Sequence, residues 1–359
     1  MFDDAADPLR DPRFTEPSVW QMFRESLFGK PRMLDCMQVE VTSVCPGRCA
    51  YCPHTTQAAR WRSRHMEAAT FARLWPLLRE SARVHLQGWG EPFLHPRFMD
   101  FAALARRAGC RVSTTTCGLR MDDALARRIV DSGIDIVAFS LTGTDEASNA
   151  DRAGVPFSRV CEAIRALQRV RKERMGVHLE IHLAYLMLAS RVEAVRKLPD
   201  LMDELDVHAA VISTLDYIAA PGMEAEAFSP YETDRLAQAR AVLHETAEEI
   251  ARRGRGFFYS LPSPDRGEEG ASCRENAART LYVDAEGRLS PCIYLNLPVD
   301  PADPGSREAV NRRVFGSVLD EDPLDVWNSG AFRTFRDALE SPFPDIPCRT
   351  CPKRFEVDG

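Results

Sequence analysis

Apolar and polar positions alternate in a pattern that organises most of this chain. From residue 37 onward, short runs rich in Val, Ile, Leu and Thr recur between longer amphipathic stretches. The runs at 37–43, 84–88, 111–116, 134–142, 178–186 and 207–215 predict strands. The stretches at 68–82, 97–108, 122–132, 157–174 and 191–204 predict helices, with Gly109 and Gly133 at C-terminal cap positions. Six strands joined through helices imply a parallel sheet with right-handed crossovers. Within the strands one face is repeatedly polar. His178, Glu180 and His182 oppose Leu179, Ile181 and Leu183; His85 and Gln87 oppose Val84 and Leu86; Gln38, Glu40 and Thr42 oppose Val39 and Val41. A sheet covered by helices on both sides is apolar on both. The pattern therefore predicts an α/β fold, a partial (β/α)6 TIM-like barrel with a hydrated lumen, over an open doubly wound sheet.

Outside the alternation, residues 17–29 predict one helix inside an N-terminal extension, 1–35. A last barrel helix at 229–253 starts at Ser229-Pro230 and ends at Gly254. The expected division is a barrel over 36–254 and a small α+β domain over 255–359. The latter shows strand signals at 280–284 and 289–294, a helix near 329–340, and loops at 260–272 and 298–304.

The chain has 359 residues, with 46 Lys+Arg against 53 Asp+Glu and a net charge of −7. That balance argues against non-specific nucleic-acid binding, which needs a basic surface. No run of 18 apolar residues predicts a membrane span. The acidic N-terminus, with Asp3, Asp4, Asp7, Asp11 and Glu16, lacks the apolar core of a secretory signal. A cytoplasmic location is the default expectation. There are 11 cysteines, an odd number, and in a reducing compartment such a set reads as metal ligation rather than disulfides.

Three of them fall within eight residues, in Cys45-Pro46-Gly47-Arg48-Cys49-Ala50-Tyr51-Cys52, directly after the first strand. Thiolates suit zinc or iron–sulfur clusters. Two completions are open. His54 would make a fourth zinc ligand, or a [4Fe–4S] cluster would use Cys45, Cys49 and Cys52 and leave one iron open. Cys36, Cys110, Cys117 and Cys161 have no metal-like spacing and read as small buried hydrophobes.

The spacing of the three cysteines, with an aromatic before the last and a strand before the first, resembles the radical S-adenosylmethionine (SAM) superfamily. The resemblance implies that SAM chelates the open iron through its amino and carboxylate groups. One electron then cleaves it to a 5′-deoxyadenosyl radical that abstracts a substrate hydrogen. It implies adenine packing by Tyr51. Trp89-Gly90-Glu91-Pro92, preceded by Gly88, is similar to the family's Gly-Gly-Glu-Pro segment, with Trp89 for the first Gly; a Glu91 carboxylate there would pair with the SAM ammonium. Ser140-Leu141-Thr142-Gly143 is similar to a Ser-Leu-Asp-Gly segment whose Ser contacts SAM. Arg152, in a segment that resembles the family's region after the fourth strand, is a candidate for the SAM carboxylate, with a solvated Arg the favoured reading. Gln87, His178, Glu180 and His182 are lumen candidates for binding substrate or moving protons; a polar edge facing solvent is the alternative for the last three.

A second set comprises Cys273, Cys292, Cys348 and Cys351. Four thiolates make a closed zinc site or fully ligate a [4Fe–4S] cluster. After a barrel of this kind, the run Cys…Gly-x4-Cys…Cys-x2-Cys resembles the SPASM/twitch extension. The chain ends eight residues after Cys351, so the single auxiliary cluster form is expected.

The expected function is thus a radical SAM oxidoreductase or maturase with one auxiliary cluster, a one-electron reductant such as flavodoxin or ferredoxin, and no membrane or nucleic-acid partner. A peptide or protein substrate is favoured. Because 35 residues precede the barrel, a leader would need a separate binding protein. A dehydrogenase or decarboxylase of a sugar or aminocyclitol is the alternative, and a non-catalytic zinc or cluster scaffold the alternative of another class. Residues 295–313 are read as a lid or partner loop against a plain surface loop.

Overall fold

A computed structural model describes residues 7–16, 32–263, 273–300, 311–339, 341, 344 and 347–358. The helix expected at 17–29 lies outside them, as do residues 264–272 and 301–304 of the two expected loops and residues 301–310 of the 295–313 segment read as a lid or partner loop.

The six expected barrel strands are present as β1 (Leu34–Val39), β2 (Ser81–His85), β3 (Arg111–Thr116), β4 (Ile136–Leu141), β5 (Glu180–Met187) and β6 (Ala209–Thr214), each pairing in parallel with the next. β1 starts and ends earlier than its apolar run. Beyond it, Val41 and Ser43 bond instead to the returning segment, Met66 N to Val41 O at 2.9 Å and Ser43 N to Arg64 O at 3.0 Å.

A seventh strand, β7 (Gly256–Pro262), pairs in parallel with β6, where a loop was expected from residue 260. β8 (Thr280–Val283) pairs in parallel with β1 at the other edge. β9 (Arg288–Ser290), β10 (Gly316–Ser317) and β11 (Glu356–Asp358) add antiparallel. The sheet order is β10-β9-β8-β1-β2-β3-β4-β5-β6-β7-β11. The sheet therefore does not break at residue 254. The C-terminal region supplies strands at both ends of the barrel sheet, so it spans the barrel's open side.

Helices follow the expected ranges where their sequences are uninterrupted: Phe98–Arg107, Asp123–Ser132, Phe157–Glu173 and Thr233–Arg252. Asp122 caps the second, its side chain accepting from Leu125 N at 2.7 Å, and Gly133 closes it at φ 74°. Two expected helices are split at a proline, which cannot donate into a preceding turn. The 68–82 helix becomes Ala68–Ala72 and Trp75–Arg79 around Pro76. The 191–204 helix becomes a 3-10 run, Ala189–Lys197, and Leu198–Glu204 around Pro199. The apolar stripes of these helices pack on the outer face of the sheet in one continuous core, which leaves the alternating inner face as the lumen.

Candidate functional site

The Cys45–Cys52 loop leaves the top of β1 and is fixed by backbone contacts. Arg48–Cys49 pairs antiparallel with Arg152–Ala153, Cys49 opposite Arg152. Ala50 N donates to Asp151 O at 2.8 Å and Cys52 N to Cys49 O at 3.1 Å. A Cβ added at Gly47 would stand 3.6 Å from Cys45 Sγ and 3.7 Å from Cys49 Sγ, so the missing side chain leaves space between two thiols. Burial pushes the Cys45 thiol up to about 11 and that of Cys52 to about 12, so a metal must displace their protons. His54, the fourth ligand a zinc loop requires, packs its ring edge-on against Trp61, 5.2 Å between centroids. Among the described residues, no group of three Cys, His, Asp or Glu donors closes around a single ion.

Beside this loop lies a lumen cavity of about 390 Å³, lined by Tyr51, Cys52, Gln87, Gly88, Trp89, Ser140 and Arg152 among others. Arg152, one of the cavity's two cations, is buried at 6% exposure. The solvated alternative is thus overturned, because the short ladder with Cys49 holds the residue beneath the loop. Its Nη2 donates to Ser140 Oγ at 2.7 Å and its Nη1 to Tyr51 Oη at 3.3 Å. Its Nε has no partner, and no carboxylate among the described residues pairs with it. An unpaired buried guanidinium is costly and calls for an anion. A carboxylate or an anionic thiolate cluster meets that need, so the residues present fit both expected groups.

The glycines after β2 are required by packing, and Gly88 also lines the lumen. A Cβ at Gly88 would fall 2.4 Å from Glu40 Cβ, and one at Gly90 would fall 2.3 Å from Thr42 O. Both let the segment lie flat on the chain leading into the cysteine loop. Glu91 does not line the lumen: its carboxylate accepts from Thr116 Oγ1 at 2.6 Å, Cys117 N at 2.7 Å and Phe93 N at 3.3 Å. Of the four lumen candidates only Gln87 lines the cavity. His182 bonds Glu180, 2.8 Å from Nε2 to Oε2, and neither they nor His178 reach it. They share a face with Ala184 and Leu186, which do line it, but sit at the start of β5. The site of a parallel barrel collects at the strand ends instead.

The second set converges despite its spacing. Cys273, Cys292, Cys348 and Cys351 all line one chamber of about 310 Å³. The first three pack against Ala277, Leu295, Phe335 and Leu339. Burial, then the neighbouring thiols and Glu275, raise the Cys292 thiol well above its usual range. Cys110, Cys117 and Cys161 are buried, as small hydrophobes would be, whereas Cys36 is only partly buried and lines another cavity with Gln38 and His85.

Three residues escaped the sequence reading. Glu40, fully buried, accepts from Trp89 N at 2.9 Å and Ala285 N at 3.4 Å, tying the barrel to the C-terminal region; burial pushes its carboxyl up to about 7. Its alternation marked a lumen side, not a partner 245 residues away. Asp216 and Lys353 meet at 2.8 Å between the two cavities.

A partial parallel barrel that sets a three-thiol loop at its strand ends, an anion-seeking arginine beneath it and a four-thiol chamber alongside fits an iron–sulfur enzyme whose small cofactor carries a carboxylate. Residues 39–188 match the radical SAM superfamily, and residues 273–352 match the iron–sulfur cluster-binding domain SPASM. The chain belongs to the radical SAM superfamily, to its SPASM-bearing members. Its cofactors are SAM and [4Fe–4S] clusters, and it is an enzyme. It is 24% identical over 307 residues to the tungsten-containing aldehyde ferredoxin oxidoreductase cofactor-modifying protein of Pyrococcus furiosus, covering 84% of this chain and 82% of that one. It is 24% identical to the PqqA peptide cyclase of Streptomyces rochei, covering 90% and 83%. Streptococcus suis SuiB bound to S-adenosylmethionine shares the fold, with TM-score 0.62, 15% identity and coverage of 87% and 71%. No helix among the described residues is long and apolar enough to cross a membrane.

Proposed function

We propose that this enzyme modifies a peptide or protein substrate in the lumen. Cys45, Cys49 and Cys52 would hold the SAM cluster, and Cys273, Cys292, Cys348 and Cys351 would fully ligate one auxiliary [4Fe–4S] cluster. When bound, the first cluster and SAM supply a 5′-deoxyadenosyl radical for hydrogen abstraction. Arg152 receives the SAM carboxylate on its unpartnered edge, with Tyr51 and Ser140 fixing the guanidinium from the other edges. Trp89 and the Tyr217–Tyr294 pair exclude water from the lumen. In this reading the barrel unit runs through β7 and the auxiliary unit begins at Cys273.

The observation that carries the reading is that Cys52 and Arg152 open on the same lumen whose far wall belongs to the auxiliary chamber. A groove of about 410 Å³, lined by Phe228, Tyr231, Glu232 and Arg349, meets that lumen at Asp216 and runs out past the exposed Tyr231. A chain can enter along it. The PqqA peptide cyclases among the relatives support a peptide, as does SuiB, whose fold was also solved bound to precursor peptide SuiA. A cytoplasmic site and a low-potential flavodoxin or ferredoxin complete the reading, since the free thiols require reducing conditions.

The test is anaerobic incubation of the reconstituted enzyme with SAM, dithionite and a library of synthetic peptides, and in parallel with a panel of sugars and aminocyclitols. A SAM-dependent mass change in one peptide is expected. 5′-Deoxyadenosine formation with no peptide altered, and a sugar or aminocyclitol oxidised instead, would overturn the peptide reading.

A further inference from the structure

The lumen and the auxiliary chamber share a wall. Asp216, Tyr217, Glu275, Tyr294 and Lys353 line both. Three of these stand two residues beyond an auxiliary cysteine: Glu275 after Cys273, Tyr294 after Cys292 and Lys353 after Cys351. Each short segment thus gives a thiol to one chamber and a wall residue to both. Asp216 and Tyr217 come from the barrel, in the turn after β6.

The apolar part of the wall is aromatic. Tyr217 and Tyr294 stack with centroids 6.0 Å and planes 11° apart, and Trp89 meets Tyr294 edge-on at 6.1 Å. The polar part centres on Lys353, which is 9% exposed. Its Nζ stands 2.8 Å from Asp216 Oδ2, 3.4 Å from Glu356 Oε1 and 3.8 Å from Glu275 Oε1. Thr214 Oγ1 donates to Asp216 Oδ1 at 2.7 Å, and Ser260 Oγ to Glu356 Oε2 at 2.7 Å. One ammonium therefore faces two buried carboxylates, Asp216 and Glu356, and the partly exposed Glu275, and between the buried groups charge acts over a longer range than in water. Removing it would leave those carboxylates uncompensated beside four cysteines.

We propose that Lys353 is the counter-charge of the auxiliary centre and a positioning residue of the lumen. Its ammonium joins the barrel's Asp216 to the C-terminal Glu275 and Glu356, and offsets the negative charge that a thiolate-bound cluster brings to the wall. The proposal rests on the assignment of the four C-terminal cysteines made above. Because the wall is one side chain thick, the reduction potential of the auxiliary centre responds to charge on the lumen side.

The test is an anaerobic redox titration of the reconstituted full chain, followed by electron paramagnetic resonance, with iron counted in every sample. The chain carrying Cys45→Ala, Cys49→Ala and Cys52→Ala identifies the auxiliary signal. Lys353→Met should move its midpoint to lower potential and Lys353→Arg should restore most of the shift. Asp216→Asn, on the barrel side of the wall, should move it to higher potential. Opposite signs are the signature, since general damage does not produce them. Unchanged midpoints, or shifts of one sign, in variants that retain their iron would overturn the proposal. If Lys353→Met loses auxiliary iron, Asp216→Asn decides alone. Wild-type chain lacking auxiliary iron would instead overturn the cysteine assignment beneath it.

Discussion

The two cysteine centres are built in opposite ways. The first gathers three thiols from one eight-residue turn, held by a two-residue ladder and a few backbone bonds. The second gathers four thiols from three segments, with 55 positions between Cys292 and Cys348. Closing a short loop costs little conformational entropy, so the first centre can form on a barrel that is already folded. The second brings distant segments together, and part of its binding free energy is folding free energy. An open, locally made site suits a centre that must admit a cofactor. A closed, non-locally made site suits one that also holds the C-terminal region onto the barrel.

Four predictions bear on that contrast. The largest effect should come from the first centre: Cys45→Ala, Cys49→Ala or Cys52→Ala should abolish 5′-deoxyadenosine formation while changing thermal stability little. Product at the wild-type level in any of them would refute the site. Replacing Cys348 and Cys351 together should do the reverse. SAM cleavage should persist, while the unfolding midpoint falls by roughly 5 °C or more, the scale of a few kcal/mol in a chain of this size. A midpoint unchanged by that double replacement would remove the structural distinction between the centres.

Next comes Arg152→Met. Loss of a buried charge-assisted contact costs about 1.5–3 kcal/mol, so equilibrium dialysis should show SAM binding weakened about ten- to a hundredfold, with iron retained. Wild-type affinity would place the SAM carboxylate elsewhere. The last prediction concerns stability rather than cofactor binding, at Glu40, which joins the two regions. Burial raises its carboxyl from 4.5 to about 7. The folded chain therefore holds this proton more tightly than the unfolded one. Stability should fall as pH rises from about 4.5 to about 7 and level off above, a loss on the order of 3 kcal/mol. Glu40→Gln should flatten that slope in unfolding measurements; parallel slopes would show that Glu40 ionises freely.

The same contrast explains what could be read from the sequence. Cys45, Cys49, Cys52, Tyr51 and Ser140 stand out as candidates because each lies at a strand end or in a tight motif, and Tyr51, Cys52 and Ser140 line the lumen. The six strands are legible because alternation is local. What failed was non-local. β7 has the apolar residues of a strand but is followed by Pro and charge, and only its neighbour β6 reveals it. His178, Glu180 and His182 were placed on the correct face but at the wrong end, since alternation fixes sides and not depth. Lys353 and Asp216 carry no local sequence signal, because their pairing spans the barrel and the tail. Glu91 sits in the expected motif, yet its carboxylate does not line the lumen and accepts from Thr116, Cys117 and Phe93.

Iron and acid-labile sulfide counted after anaerobic reconstitution test the two-centre account most directly, in the wild-type chain and in the two sets of cysteine variants. The account predicts about eight irons and eight sulfides in the wild type and about four of each in either set. About four irons in the wild type, with zinc bound and no further loss on replacing Cys348 and Cys351, would contradict it.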